Sequence, residues 1–266
     1  MVSVLIPTYN SEKTICRALS SVFAQTLQPI EIIVVDDGSI DGTVSLVRSF
    51  CAGQKHDFLK LVTLDHNYGP AYARNVAWDM ASGEFLAFLD TDDSWHPDKL
   101  GILAPFMLTH SDLALTGHKC IRLSEHDPLP VLPKKWGVKP ISGWQLMMFG
   151  RFLLTTSVVM VKREIPYRFD PHKRYGEDRL VWLQMVLNGY KAARIDLPLA
   201  YMYKAPYGET GLSSNLWEME KGELDIFSQL RQMGFLNRWQ EIALKSWSFL
   251  KYLRRVVVCW KRRYVP

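Results

Sequence analysis

The sequence predicts an α/β fold, with a mostly parallel central sheet flanked by helices and a C-terminal helical extension. Three observations carry this. Short β-branched or apolar runs at residues 2–6, 30–35, 61–64 and 85–89 alternate with segments of helical periodicity, the pattern of successive βαβ units. The first, second and fourth runs each end in a polar cluster: Thr8, Tyr9 and Asn10, then Asp36 and Asp37, then Asp90 to Asp93. Ligands of such sheets collect beyond the carboxyl ends of the strands, so these clusters are expected to line one crevice. Beyond residue 215 the strand pattern stops and apolar residues recur at helical spacing.

The first two runs are short and rich in β-branched residues and are bounded by Pro7 and by Asp36, Asp37 and Gly38, as buried parallel strands are. Between them Ile15, Ala18, Leu19, Val22 and Phe23 form one helical face, with Asn10 or Ser11 as candidate cap. Helices are expected over 43–51 and 71–81, and Pro97 suits the first position of another that runs to 109. The order is then mixed. Short strands at 113–116 and 119–123 precede a proline-rich loop (Pro128, Pro130, Pro133, Pro140), a short helix near Trp144 and a strand at 155–161. Tyr175, Gly176, Glu177 and Asp178 open a helix, and two short strands end near Tyr203. Residues 204–215, with Gly208, Gly211, Ser213 and Ser214, read either as a lid over a ligand or as a plain connection.

With 266 residues, 48% of them hydrophobic, the chain has the composition of a globular domain with an appendage and not of a disordered one. No apolar stretch approaches the roughly 20 residues that span a bilayer. Residues 1–6 lack the basic start of a secretory signal. Cys16, Cys51, Cys120 and Cys259 are too scattered for a CxxC pair or a disulfide framework. A cytoplasmic protein with reduced thiols is expected. Six of its positive charges (Lys251, Arg254, Arg255, Lys261, Arg262, Arg263) fall in the last sixteen residues, which hold no acid. Trp239, Ile242, Trp247, Leu250, Leu253, Val257 and Trp260 interleave with them. Two readings are open: a basic amphipathic helix on the cytoplasmic face of an anionic membrane, or a stripe packed on the domain with the charges as its wet face.

Asp90, Asp92 and Asp93 follow an apolar strand within four positions. Like charges this close raise one another's pKa unless a cation or an array of donors offsets them. Oxygen-only ligands suit Mg²⁺ or Mn²⁺, which keeps sites for water and for substrate phosphates. A metal-held diphosphate is the expectation, with Asp92 and Asp93 on the metal. Asp37 either closes a turn with Gly38 or accepts the imide N–H of uracil while Tyr9 covers the ring. Neither a P-loop nor a G-x-G-x-x-G follows the first strand, which leaves metal and basic side chains, Arg74 among them, to hold phosphates. Histidines lack zinc-hydrolase spacing and no G-x-S-x-G elbow occurs. Glu177 and Asp178 suit a helix N-terminus by charge alone, yet a carboxylate at the crevice mouth is also placed to deprotonate an acceptor hydroxyl. Asp178 is the expected base.

Taken together, VSVLIPTYN at 2–10, IIVVDDGSIDGT at 32–43, the ARN segment, ASGEFLAFLDTDD ending at Asp93, and GED at 176–178 resemble the family 2 glycosyltransferases over about the first 205 residues. The resemblance implies a GT-A nucleotide-diphospho-sugar transferase fold at 1–215, with a nucleotide-binding half (1–100) and an acceptor half (101–215), followed by the helical extension at 216–266. It implies inverting transfer, with Asp37 and the Pro7, Thr8 and Tyr9 region at the nucleotide base. Asp90, Asp92 and Asp93 would serve ribose, diphosphate and metal, and Asp178 would be the base. Members of this size commonly build O-antigen, capsule or exopolysaccharide on a lipid carrier, so a UDP-sugar donor and a lipid-linked saccharide acceptor are implied. The membrane spans and Q-x-x-R-W motif of processive synthases are absent. Rival readings are a non-catalytic nucleotide-sugar-binding or assembly protein and, further off, a sugar nucleotidyltransferase. Nucleic acid is not an expected partner, since one short basic segment is thin support for it.

Overall fold

A computed structural model describes residues 1–52, 58–205, 207–209 and 211–264. The side chains of Arg262 and Arg263, counted above in the basic tail, lie outside the described ones, as do Pro206 and Thr210 of the expected lid. Four parallel strands open the sheet: β1 (Val2–Thr8), β2 (Glu31–Asp36), β3 (Leu59–Thr63) and β4 (Phe85–Phe88). Their crossovers are α1 (Ile15–Phe23), α2 (Thr43–Ala52) and α3 (Pro70–Met80). β1 lies between β2 and β4, with Thr8 level with Asp36 and Leu5 with Phe88. That register, set by parallel pairing of fully buried strands, brings three strand ends to one edge.

The second half is mixed. β5 (Asp93–Trp95) leads into α4 (Lys99–Thr109), followed by β6 (Leu113–Arg122), β7 (Val138–Ile141) and α5 (Gly143–Leu153). Then come β8 (Met160–Lys162), α6 (Glu177–Leu187) and β9 (Lys191–Met202). Among the described residues the nine strands form one sheet, ordered β3-β2-β1-β4-β8-β6-β9-β5, with β7 on β9. β8 runs antiparallel to both β4 and β6, while β6 and β9 are parallel.

Several expectations change in detail. The two strands expected at 113–123 are one, carried through irregularities at His118 and Lys119, and the pair expected before Tyr203 is also one. The expected strand at 155–161 begins as a 3-10 turn, Thr156–Val158, and only Met160–Lys162 pairs; the hydroxyls of Thr156 and Ser157 turn toward acidic groups instead of a ladder, as described below. β7, within the expected proline-rich loop, is an edge strand that accommodates Pro140.

Two helices follow, α7 (Leu216–Gln232) and α8 (Arg238–Tyr264). Asn215 caps α7 by accepting from the Glu218 N–H at 3.1 Å. Ile226, Phe227 and Leu230 of α7 join the same hydrophobic core as β1, β4 and α6, which at ~1.5–3 kcal/mol per large buried side chain fixes α7 firmly. Gly222 permits the close approach, since a Cβ there would meet the Tyr175 carbonyl oxygen at 2.6 Å.

Candidate active site

At the carboxyl edge of β1, β2 and β4 the backbone knits the strand ends together. The Asp37 N–H donates to the Thr8 carbonyl at 2.8 Å, and the Leu89 N–H to that of Leu5 at 3.0 Å. Pro7 and Thr8 are buried at the end of β1, while Tyr9 is exposed. Asn10, in the left-handed region at φ 46°, accepts from the Ile40 N–H at 3.0 Å, so the β1 and β2 loops are tied to each other. Asp36 closes the turn after β2 by accepting from the Ser39 N–H at 3.0 Å. The turn role therefore falls to Asp36. Asp37 is buried and accepts from the Tyr68 and Gly69 N–H groups, both at 2.8 Å. Burial raises its pKa, against those two bonds and Arg174. Gly69, at φ 100°, gives the loop before α3 the conformation this grip needs.

The acidic group after β4 is held from three sides. Asp90 accepts from Arg74 Nη2 at 2.9 Å, and its own N–H donates to Ser157 Oγ at 3.1 Å. Asp92 pairs with Lys204, and its carbonyl accepts from Arg17 Nη2 at 3.0 Å. Asp93 is buried and hydrogen-bonded to Ser157; burial, with Asp92 and Asp90 beside it, pushes its carboxyl well above the ordinary range. Beneath lies Lys99, fully buried, which donates to the Ser157 carbonyl at 2.7 Å and sits 3.6 Å from the Trp95 ring centroid. Burial holds its pKa well below the usual lysine value. Arg74, Lys204 and the Ser157 hydroxyl each offset part of the charge of this acidic cluster.

On the other side of Arg74, Gly176 at φ 73° turns the chain into α6. The first turn of α6 presents Glu177 and Asp178. Glu177 is buried and accepts from Arg74 Nη1 at 2.6 Å. Burial raises its pKa to about 7, with Arg74 opposing and Asp178 assisting the rise. Asp178 Oδ2 lies 3.4 Å from Thr156 Oγ1, while Oδ1 accepts from the Arg179 N–H at 2.7 Å. Thr156 and Ser157, adjacent in one turn, thus touch the start of α6 and the chain just beyond β4.

Asp90, Asp92, Asp93, Arg74 and Asp178 are accordingly brought together by direct contacts or one shared neighbour, with Pro7, Thr8 and Asp37 on the adjoining strand ends. Sequence reasoning missed Thr156, Ser157, Lys204 and Arg17. The serine-threonine run at 155–157 was a usable signal, because it interrupts an otherwise apolar strand. Lys204, so far from Asp92 in sequence, had none.

The donor set fits a hard divalent ion in one respect: it is oxygen-only, and Asp90 and Asp92 are a third exposed. Among the described residues no three His, Cys, Asp or Glu side chains form a group that could hold an ion. An ion here would take few ligands from the protein and the rest from phosphate and water.

These features define a class when set beside known structures. TarS 1–349 of S. aureus, in complex with UDP-GlcNAc, matches at TM-score 0.69 and 24% identity over 92% of this chain and 70% of that one. The mannosyltransferase PcManGT of Pyrobaculum calidifontis, in complex with GDP-Man and Mn²⁺, matches at 0.64 and 22%, over 87% and 64%. The fold is that of the GT-A glycosyltransferases. The family profile described as Glycosyl transferase family 2 matches residues 3–153. Escherichia coli WfgD, named a UDP-Glc:alpha-D-GlcNAc-diphosphoundecaprenol beta-1,3-glucosyltransferase, is 41% identical over 94% of this chain and 96% of its own. TuaG of Bacillus subtilis (strain 168), named for teichuronic acid biosynthesis, is 30% identical over 97% and 96%. The chain belongs to glycosyltransferase family 2, a family of enzymes that includes relatives named for building bacterial polysaccharides.

Proposed function

We propose that the protein transfers a sugar, with inversion, from a nucleotide-diphospho-sugar to a hydroxyl of a lipid-linked saccharide during assembly of a bacterial surface polysaccharide. What supports this reading is that Thr156, 3.4 Å from Asp178, and Ser157, which accepts from the Asp90 N–H at 3.1 Å, are adjacent residues, so the first turn of α6 and the acidic tip of β4 meet at one turn. WfgD, by its name, uses UDP-Glc and a diphosphoundecaprenol-linked acceptor, so a UDP-sugar and an acceptor of that kind head the list. Residues 1–100 serve the donor: Asp37 with Pro7, Thr8 and Tyr9 at the base, Arg74 and Asp90 toward ribose and phosphates. Residues 101–215 serve the acceptor, and an open hollow of about 590 Å³ lined by Arg122, Ser124, Glu125, Asp127 and Tyr203 adjoins Asp92 through Arg17. The helices from 216 onward form an extension to that domain.

Asp92, with Asp93 behind it, would hold Mn²⁺ or Mg²⁺. Such an ion, when bound, neutralises charge on the departing diphosphate. Asp178 takes the proton from the incoming hydroxyl. The hydroxyl oxygen bonds to the anomeric carbon as the bond to the diphosphate breaks on the opposite face, which inverts that carbon. The work takes place at the cytoplasmic face of the membrane. Release of UDP from UDP-glucose and other nucleotide sugars, measured with diphosphoundecaprenol-linked GlcNAc and either metal, tests the reading. Acceptor-dependent release that disappears in Asp92→Ala supports it; donor binding with no release under any combination would leave a binding protein instead.

A further inference from the structure

The outward face of α8 is apolar, whereas its inward face mixes polar and apolar side chains. Toward the protein it buries Glu241, Ser248 and Arg255 beside Leu244. Glu241 pairs there with Arg231 and with Lys245 at 2.7 Å, and Arg255 pairs with Glu220 of α7. Outward it presents Trp239, Ile242, Phe249, Leu250, Leu253 and Val257, of which Trp239 is 78% and Leu250 60% exposed. At 100° per residue these six fall in one stripe. Of the two readings open from sequence, packing of this stripe on the domain is therefore overturned.

We infer that this face of α8 is a membrane-binding surface that rests on anionic lipid. Helix α8 holds eight basic residues and a single acid, Glu241, and that acid is already engaged by Arg231 and Lys245. Arg254 and Lys261 are exposed beside the apolar stripe. An apolar stripe with a basic margin fits the headgroup and acyl boundary of an anionic bilayer, where burial and charge attraction add. A second copy of the same face is a poorer occupant, since two such helices would bring like charges together. No helix among the described residues is long and apolar enough to cross a membrane, so the contact lies on the surface. The segment that reaches Asp92 through Lys204 also packs on α8, where a Cβ at Gly208 would meet Cys259 Sγ at 2.5 Å. The surface would thus hold the crevice near a lipid-linked acceptor. That benefit rests on the proposed function, whereas lipid binding itself does not.

The test is sedimentation of the full chain with vesicles of phosphatidylglycerol and phosphatidylcholine, against phosphatidylcholine alone, with UDP binding by calorimetry in parallel. The expected result is capture by the anionic vesicles that falls with salt. The double variant Leu250→Ser with Leu253→Ser should bind about tenfold more weakly, and Arg254→Glu with Lys261→Glu should lose the preference for anionic lipid. UDP affinity should be unchanged in both. Equal capture of wild type and both variants, or no capture of wild type, overturns the proposal. So does light scattering that shows a dimer which the serine variant dissociates while vesicles capture neither form. Vesicle capture without UDP binding would instead retain the surface and remove a UDP-sugar as donor of the proposed reaction.

Discussion

Arg74 ties Glu177 to Asp90: its guanidinium lies 2.6 Å from Glu177 Oε1 and 2.9 Å from Asp90 Oδ1. One side chain on α3 thereby fixes the first turn of α6 to the tip of β4, the two elements that carry the proposed base and the proposed diphosphate site. Burial would strip Arg74 of charge, but Asp90, Glu177 and Asp178 hold it ionised. Breaking a buried pair by removing one partner costs about 3–5 kcal/mol, so Arg74→Met should lose about that much in urea unfolding at pH 8. The sign with pH follows from Glu177. Its folded-state pKa, about 7, exceeds the unfolded value, so the folded state binds the proton more tightly. Stability from this group is present at low pH and declines as pH rises through about 7. Without Arg74 the carboxyl is harder still to ionise, and the deficit of the variant should shrink at pH 5. A deficit equal at both pH values would remove Glu177 from the account.

Asp178→Asn keeps the size of the side chain and its bond from the Arg179 N–H but removes the proton acceptor. General-base assistance is worth ~10²–10⁴ in rate, so kcat should fall by that factor with donor affinity nearly intact. Thr156→Val, which deletes the hydroxyl 3.4 Å from Asp178, should lower kcat by less. Steady-state kinetics with calorimetric UDP binding separates the two quantities. Full activity in the asparagine variant would move the base elsewhere.

The parallel half of the fold was legible because fully buried strands and one-sided helices leave opposite signatures. Ile32, Ile33, Val34 and Val35 are all completely buried, as their unbroken apolar run requires, and Ile15, Ala18, Leu19 and Val22 face the core together. The second half was harder. Thr156 and Ser157 look like strand residues locally, and only the acids of α6 and β4 explain their turn. Among the site residues, the grouping of Asp90 to Asp93 could be read from spacing, but its counter-charges could not, since Arg74 and Lys204 reach it from separate elements. Asp37 shows the same limit: its chain neighbours left a turn and a base contact both open, and its partners in the fold are the distant amides of Tyr68 and Gly69.

Lys204 and a divalent cation compete for the same carboxylate. Lys204 pairs with Asp92; burial lowers the lysine pKa, but Asp92, Asp93 and Asp90 together raise it above its usual value, so it stays charged through the neutral range. A partly exposed pair of this kind is worth up to about 1 kcal/mol. Lys204→Met should therefore tighten Mn²⁺ binding in the presence of UDP by about fivefold, read by calorimetry. Weaker binding in this variant would show that the ammonium assists the diphosphate and does not oppose the ion.

Glu31 stands apart from the crevice and reports on the fold alone. It is buried in β2, pairs with Lys60 Nζ at 2.6 Å, and accepts from Ser3 Oγ and from the Ser82 N–H and hydroxyl, each at 2.7 Å. Burial by itself would raise its pKa, but Lys60, Ser82 and Ser3 together bring it down to about 2. A depressed carboxylate pKa means stability that is fully present above the unfolded value and is lost as pH falls through the folded one. The window here runs from 4.5 down to about 2, and a shift of this size corresponds to about 3 kcal/mol. Glu31→Gln should be less stable than wild type by up to about that amount at pH 7. The two unfolding curves should converge as the pH approaches 2, where wild type has lost the same ionic contacts. Denaturant titrations across that range decide the matter, and equal stabilities at pH 7 would mean that the hydrogen bonds from Ser3 and Ser82 hold a neutral side chain as well as a charged one.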